Sequence, residues 1–304
     1  MNDNASLNRS AAFASIAVAL LLVGMKVWAV FSTGSTAMLG SLADTTLDLV
    51  ASLATLAGVW VAAQPDDENH RFGHGKAEAL AAMFQVVLIS ISALSLAFRA
   101  VNQWIAGARP EGAEGGIVVS VIAMVATVAL LAWQRYVIRK TKSLAISTDH
   151  VHYQSDILLN LAVIAALALD QYVGIAGADP FFGLAIALWL GWGAWGASQQ
   201  AIEQLMDHEW PEERRQAFLE AVARHPEIKG LHDLRTRTSG DRDFVQFHLA
   251  VNGDMTVRQA HVIMDEVEAI LKKEFPGVEI LIHPDPEGHV DPTDMSSKDL
   301  LAKL

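Results

Sequence analysis

Six long apolar runs separated by short polar connections fill the first two thirds of this chain, and they restrict it to one kind of environment. They lie near Ala11–Phe31, Ala37–Ala63, Ala77–Trp104, Ile117–Ile138, Leu144–Leu169 and Phe181–Leu205. Roughly 20 predominantly apolar residues are needed to cross a bilayer as a helix, so each run reads as a transmembrane span. The first is too long for a signal-peptide core and has only Arg9 as a basic residue before it, so it counts as a span rather than a cleaved leader. Six is even, which places both termini on one side of the lipid bilayer.

Charge divides the chain at the end of the sixth run. Of its 304 residues 18% are charged, against about a quarter in an ordinary soluble domain. The first 206 residues hold 14 acidic and 10 basic side chains, the last 98 hold 20 and 12. The reading is therefore a transmembrane domain over residues 1–206, a soluble acidic domain over 207–290, and a mobile tail over 291–304. No cysteine is present, which excludes disulfides, thiolate metal sites and cysteine nucleophiles. A net charge of -12 argues against a nucleic-acid partner, which selects a basic surface. Lys and Arg gather in alternate connections: Arg71 and Lys76 between spans two and three, and Arg135, Arg139, Lys140 and Lys142 around the end of span four. By the positive-inside rule these connections, both termini and the C-terminal domain face the cytoplasm.

The C-terminal third switches between helical and strand periodicity. Pro211–His225 reads as a helix with Pro at its start. Leu231–Thr238 and Phe244–Val251 read as strands joined at Ser239-Gly240-Asp241 into a hairpin. Val257–Phe275 has apolar residues at helical spacing (Val262, Ile263, Val267, Ile270, Leu271), and Val278–His283 is a short strand. The order α-β-β-α-β suggests a small sheet with helices on one face.

Buried carboxylates carry the main chemical signal. Asp44 and Asp48 lie inside the second run, and His152 and Asp156 repeat the same four-residue spacing in the fifth. Four residues span about 6 Å and nearly one helical turn, so each pair points one way. An ionised group at membrane depth costs roughly 2.5–3.5 kcal/mol even on the permissive insertion scale. A divalent cation shared among the four removes that cost, and three carboxylates with one imidazole form a tetrahedral oxygen and nitrogen set that suits zinc. Without thiolate such a site binds reversibly. The competing reading has each residue bonded to a Ser or Thr on a neighbouring helix.

Two further clusters recur. The connection Asp66-Asp67-Glu68-Asn69-His70-Arg71-Phe72-Gly73-His74-Gly75-Lys76 places carboxylate and imidazole groups at short spacing among turn-forming glycines; it reads equally as a weak metal site or as a solvated acidic loop. In the tail, His232 and His248 fall on the two hairpin strands, and His283 and Asp285 at the end of the last strand, where they could converge, with His261 on the intervening helix. Scattered solvated histidines are the plainer reading there.

The run from Gly34-Ser35 through Ser41-Leu42-Ala43-Asp44-Thr45-Thr46-Leu47-Asp48, the block Asn69-His70-Arg71-Phe72-Gly73-His74-Gly75-Lys76-Ala77-Glu78, and Asp149-His150-Val151-His152-Tyr153-Gln154-Ser155-Asp156 together resemble the cation diffusion facilitator family, in particular its bacterial zinc and ferrous-iron efflux branch. The resemblance extends over nearly the whole chain, including His232-Asp233-Leu234-Arg235-Thr236-Arg237 and His283-Pro284-Asp285-Pro286. It implies a membrane all-α bundle of six transmembrane helices followed by a cytoplasmic α+β domain with a metallochaperone-like αββαβ fold. It places a transport metal site on Asp44, Asp48, His152 and Asp156, a loop site on Asp67, His70 and His74, and a cytoplasmic binuclear site on His232, His248, His261, His283 and Asp285. It implies a homodimer in the bacterial inner membrane, held near the membrane surface by a charge pair that Lys76 and Asp207 match best. Pro284 stands where close relatives are expected to carry a polar residue.

The expected activity is secondary transport, not enzymatic catalysis: Zn²⁺ leaves the cytoplasm in exchange for protons, because carboxylate and neutral imidazole bind metal only when deprotonated. Fe²⁺, Cd²⁺ or Mn²⁺ export is the alternative within the family, although an imidazole ligand argues against a pure manganese site. A membrane metal sensor without transport is the alternative outside it. No HExxH motif or nucleophile–base arrangement supports a metalloenzyme.

Overall fold

The structure is a computed structural model and describes residues 3–33, 36–106, 117–173, 178–289 and 300–301. The chain divides into two units, Met1–Ile202 and Glu203–Leu304. Apart from residues 300–301, the tail expected over 291–304 lies outside the described residues.

Six helices build the first unit: α1 (Asp3–Thr33), α2 (Thr36–Ala62), α3 (Ala77–Ala106), α4 (Ile117–Thr141), α5 (Leu144–Val173) and α6 (Ala178–Leu205). Each covers one of the six apolar runs. Among the described residues, five of them are long and apolar enough to cross a membrane; α5 carries Asp149, His150, His152, Gln154 and Asp156 in its first half. Helix α1 packs on α2 and α4, α2 packs on α3, and α5 lies against α2, α3 and α4. The packing is inverted relative to a soluble protein. Small residues such as Ala11, Ala12, Ala51, Ala82 and Ala145 are buried, while Phe13, Trp28, Phe31, Leu94 and Phe98 point outward. Lipid is as apolar as leucine, so helices in a membrane associate by close approach at small residues rather than by hiding large ones. Gly58 on α2 is one such point of close approach: a Cβ there would stand 3.0 Å from the Ala77 carbonyl oxygen and collide with the Ala81 methyl.

The second unit contains α7 (Glu212–Val222), β1 (Gly230–Ser239), β2 (Arg242–Val251), α8 (Val257–Glu274) and β3 (Val278–Pro286), in the order α-β-β-α-β read from the sequence. The sheet runs β1-β2-β3. Strands β1 and β2 are antiparallel, joined tightly through Gly240 at φ 64°. Strands β2 and β3 are parallel, which requires a crossover, supplied by α8. Helix α8 begins with a capping box: Thr256 Oγ1 accepts from the Gln259 N–H, and Gln259 Oε1 accepts from the Thr256 N–H at 2.9 Å. It buries Ala260, Ile263, Val267 and Leu271, while Val262 faces outward. Helix α7 stops at Val222, short of the expected His225, because the residue before Pro226 is disfavoured in helical conformation. Phe218, Leu231, Phe247, Leu249, Val267 and Leu271 form the core under one face of the sheet.

Two departures shape the opposite sheet face. Strand β3 continues past His283 to Pro286, pairing Asp285 with Ala250; it is an edge strand, where Pro284 and Pro286 are tolerated. A bulge interrupts β1 between His232 and Arg235, with Asp233 at φ 48°. The extra residue swings Asp233 toward the histidines instead of leaving it in strict alternation.

Candidate metal centres

In the first unit α2 and α5 bring Asp48, His152 and Asp156 together, with one potential ligand atom from each lying within 4.8 Å of the others. His152 Nε2 is 2.8 Å from Asp48 Oδ1, with the imidazole N–H donating to the carboxylate oxygen. His152 is buried. The fourth expected residue, Asp44, stands apart: it is exposed, and its Oδ2 is 3.8 Å from Arg99 Nη1 on α3. One turn along α2 thus separates a carboxylate facing α5 from one facing an arginine. Between them Thr45 accepts a hydrogen bond from Lys26 of α1.

The loop cluster is assembled by an Asx-type turn. Asp67 Oδ1 accepts from the backbone N–H groups of Asn69 at 2.8 Å and His70 at 2.6 Å. These bonds, led by that from His70, hold the Asp67 carboxyl below the ordinary carboxylate range. His70 Nδ1 lies 3.1 Å from Asp67 Oδ1, and His74 Nε2 lies 3.4 Å from Oδ2. The two imidazoles are 4.5 Å apart between centroids, and Gly73 at φ 77° makes the turn that allows it.

In the second unit the strand register aligns three histidines: His232 pairs with His248 and His248 with His283. Paired positions in adjacent strands share a face, here the one opposite the helices. Asp285, buried two residues beyond His283 on that same face, is the hub. Its Oδ2 is 2.9 Å from His248 Nδ1 and 3.3 Å from His232 Nε2, and its Oδ1 is 3.2 Å from His283 Nε2. His232, His248 and Asp285 can offer ligand atoms within 4.8 Å of one another. His261 stands outside the group: it is exposed on α8 with Nδ1 3.2 Å from Asp265. Asp233, which sequence reasoning did not single out, approaches His248 Nε2 at 3.8 Å through the bulge; no strand pattern announces a bulge at a non-glycine residue. Lys76 belongs to the first unit. Asp207 belongs to the second, where its Oδ1 lies 3.4 Å from Arg237 Nη1.

A multi-pass helical membrane protein with a carboxylate–imidazole cluster inside the bundle, and a second one on an appended α+β domain, belongs to the class that handles metal cations at a membrane. Residues 12–206 match the cation efflux transmembrane domain, and residues 210–287 match the cation efflux protein cytoplasmic domain. The chain belongs to the cation efflux family, the cation diffusion facilitators, which are transporters. It is 42% identical over 285 residues to the cation-efflux pump FieF of Cronobacter sakazakii, covering 94% of this chain and 95% of that one. It is 42% identical over 282 residues to FieF of Serratia proteamaculans, covering 93% and 94%. Among solved structures, the Zn form of CzrB is 42% identical over 28% of this chain and 98% of its own, with a TM-score of 0.25. A MamM CTD is 26% identical over 25% and 96%, with a TM-score of 0.24.

Proposed function

We propose that this protein exports divalent metal cations, Zn²⁺ foremost, from the cytoplasm across the bacterial inner membrane in exchange for protons. The observation that carries this reading is the 2.8 Å hydrogen bond between His152 Nε2 and Asp48 Oδ1. One proton lies between two atoms that are both metal ligands when it is removed. Proton and metal therefore compete for one position, and that competition is what couples them. Asp156 completes the local set and Asp44 is the fourth ligand, reached when it leaves Arg99. An imidazole among carboxylates suits Zn²⁺, and the same oxygen and nitrogen donors accommodate Fe²⁺ or Cd²⁺ as cargo.

The site loads when open to the cytoplasm and discharges when open to the more acidic outer side, by alternating access. Exchange of two protons for one Zn²⁺ is electroneutral. At about 1.36 kcal/mol per proton and pH unit, one unit of gradient then sustains roughly a 100-fold zinc gradient. Residues 1–206 form the transport domain, and residues 207–290 the cytoplasmic metal-binding and dimerisation domain. Both termini lie in the cytoplasm. Asp67, His70 and His74 form a loop site, and His232, His248, His261, His283 and Asp285 a regulatory one. The protein works as a homodimer, with Lys76 and Asp207 as the charge pair that holds the protomers near the membrane surface.

The test is ⁶⁵Zn²⁺ flux in proteoliposomes under an imposed pH gradient, with internal pH followed by a trapped dye. Zinc movement coupled to opposite proton movement, abolished by Asp48→Ala with the fold intact, is the expected result. Flux that persists in Asp48→Ala removes the proposed site. Zinc binding without any flux in the wild type leaves a sensor.

A further inference from the structure

Beneath the transport site α5 carries another acid that this function does not use. Asp149 is 0% exposed. Its Oδ2 accepts from Ser15 Oγ of α1 at 2.7 Å and from Gln134 Nε2 of α4 at 2.7 Å, and its Oδ1 accepts from Gln85 Nε2 of α3 at 2.9 Å. The donors are themselves linked. Gln134 Nε2 also donates to Ser15 Oγ at 3.0 Å, and Gln85 Nε2 to Thr55 Oγ1 of α2 at 2.5 Å. Tyr153, one turn further along α5, is fully buried, with its hydroxyl 2.9 Å from Ser52 Oγ of α2 and donating to the Ser15 carbonyl at 3.2 Å. One carboxylate thus fastens α5 directly to three helices, and its network reaches the fourth.

We propose that Asp149 is the positioning residue of the intramembrane metal site: the clasp formed with Ser15, Gln85 and Gln134 sets the depth and rotation of α5 at which His152 and Asp156 meet Asp48. This rests on the exchange reading given above. The geometry is that of one helical stripe. Residues at i, i+3 and i+7 share a face, so Asp149, His152 and Asp156 project in one direction over about 10 Å. A helix held at one end of such a stripe cannot rotate without carrying both ligands away from Asp48. Purely apolar packing would not do this as well, because the small-residue contacts around α5 allow sliding, whereas three directional bonds to one carboxylate allow one arrangement. A carboxylate enclosed at membrane depth is costly, and each hydrogen bond it accepts offsets part of that cost. Each donor lost therefore loosens the clasp, and a change at Asp149 itself, which all three donors share, loosens it most.

The test uses the full-length protein with Asp149→Asn, which keeps shape but loses one acceptor oxygen, together with the milder Ser15→Ala and Gln134→Met, which remove single donors. Two quantities are read: the KM and maximal rate of zinc flux in proteoliposomes, and the Kd for Zn²⁺ in a background carrying Asp67→Ala and Asp285→Ala, with Asp48→Ala as the blank. The expected result is a rise of about 10-fold or more in both KM and Kd for Asp149→Asn, as for other residues that orient a metal ligand. Its maximal rate stays near that of the wild type, and Ser15→Ala and Gln134→Met show smaller rises that do not add to that of Asp149→Asn. An unchanged KM and Kd with a lower yield of folded protein would mean that Asp149 only stabilises the bundle, and would overturn the proposal. If Asp149→Asn does not fold, the single-donor variants decide on the same readouts. Wild-type zinc binding without flux would refute the exchange reading and leave the Kd series to judge Asp149; absence of binding at Asp48 would overturn both.

Discussion

Replacing Asp285 with alanine separates the two things this residue does on the sheet face. Without metal, the bond that counts is His248 Nδ1 to Asp285 Oδ2 at 2.9 Å, between a carboxylate 5% exposed and an imidazole 20% exposed. The His283 contact is with a ring 61% exposed and contributes little, and the His232 contact at 3.3 Å is long. One enclosed hydrogen bond to a charged group is worth about 1.5–3 kcal/mol. Amides of β1 to β3 that exchange through opening of the sheet should therefore exchange roughly 10- to 100-fold faster in the metal-free variant. Metal held at the proposed cytoplasmic site would add a second effect by mass action. At free Zn²⁺ 100 times Kd, the wild-type sheet gains about 2.7 kcal/mol, a further 100-fold slowing of the same amides. The variant, missing the residue that touches all three histidines, should gain almost none of it. The assay is hydrogen–deuterium exchange of the full-length protein with and without zinc, read on peptides covering residues 230–251 and 278–286. Equal zinc-dependent slowing in the variant and the wild type would refute the assignment of Asp285 as the hub.

Other expectations follow from particular contacts. Gly58→Ala drives a methyl into Ala81 and the Ala77 carbonyl, so thermal unfolding in detergent should show a loss of about 1–3 kcal/mol. Phe218→Ala removes a ring that is 0% exposed and 5.6 Å from Phe247 between centroids; the second unit should lose about 3–5 kcal/mol, seen as faster exchange in β2 with the membrane helices unchanged. The Asp67 carboxyl, lowered chiefly by the His70 N–H, favours the turn at every pH above its ordinary range near 3.9 and loses that contribution only as pH falls through the lowered value. Carboxyl NMR should find Asp67 titrating below a reference aspartate, and the difference should shrink if His70→Pro removes the donor.

The six spans and the α-β-β-α-β order were legible because each depends on local periodicity: apolar length for α1 to α6, and alternation for β1 and β2. Within the intramembrane cluster, Asp48, His152 and Asp156 were legible for a similar reason, since repeated i,i+4 spacing in an apolar run has few structural uses. Asp44 shows the limit of that logic. Spacing puts it one turn from Asp48, yet it faces Arg99, a partner on another helix that periodicity cannot reveal. Asp233 and Asp149 escaped notice for opposite reasons. The first depends on a bulge, which breaks alternation without a glycine to mark it. The second sat in plain view three residues before His152, and its role emerges only when Ser15, Gln85 and Gln134 are brought to it from three other helices. His261 illustrates another limit: within one protomer its helix turns it to solvent beside Asp265, a placement its residue type could not reveal.

The first half of α5 has a consequence for how the chain is made. A segment bearing Asp149, His152 and Asp156 is a poor candidate for entering lipid on its own, and the side chains that answer Asp149 and His152 (Ser15, Asp48, Gln85, Gln134) are all synthesised earlier. A ribosome delivering the chain from its N-terminus therefore presents α5 to the four helices already made. The residues most expensive to insert arrive last among their partners, and biogenesis and transport draw on the same few polar atoms.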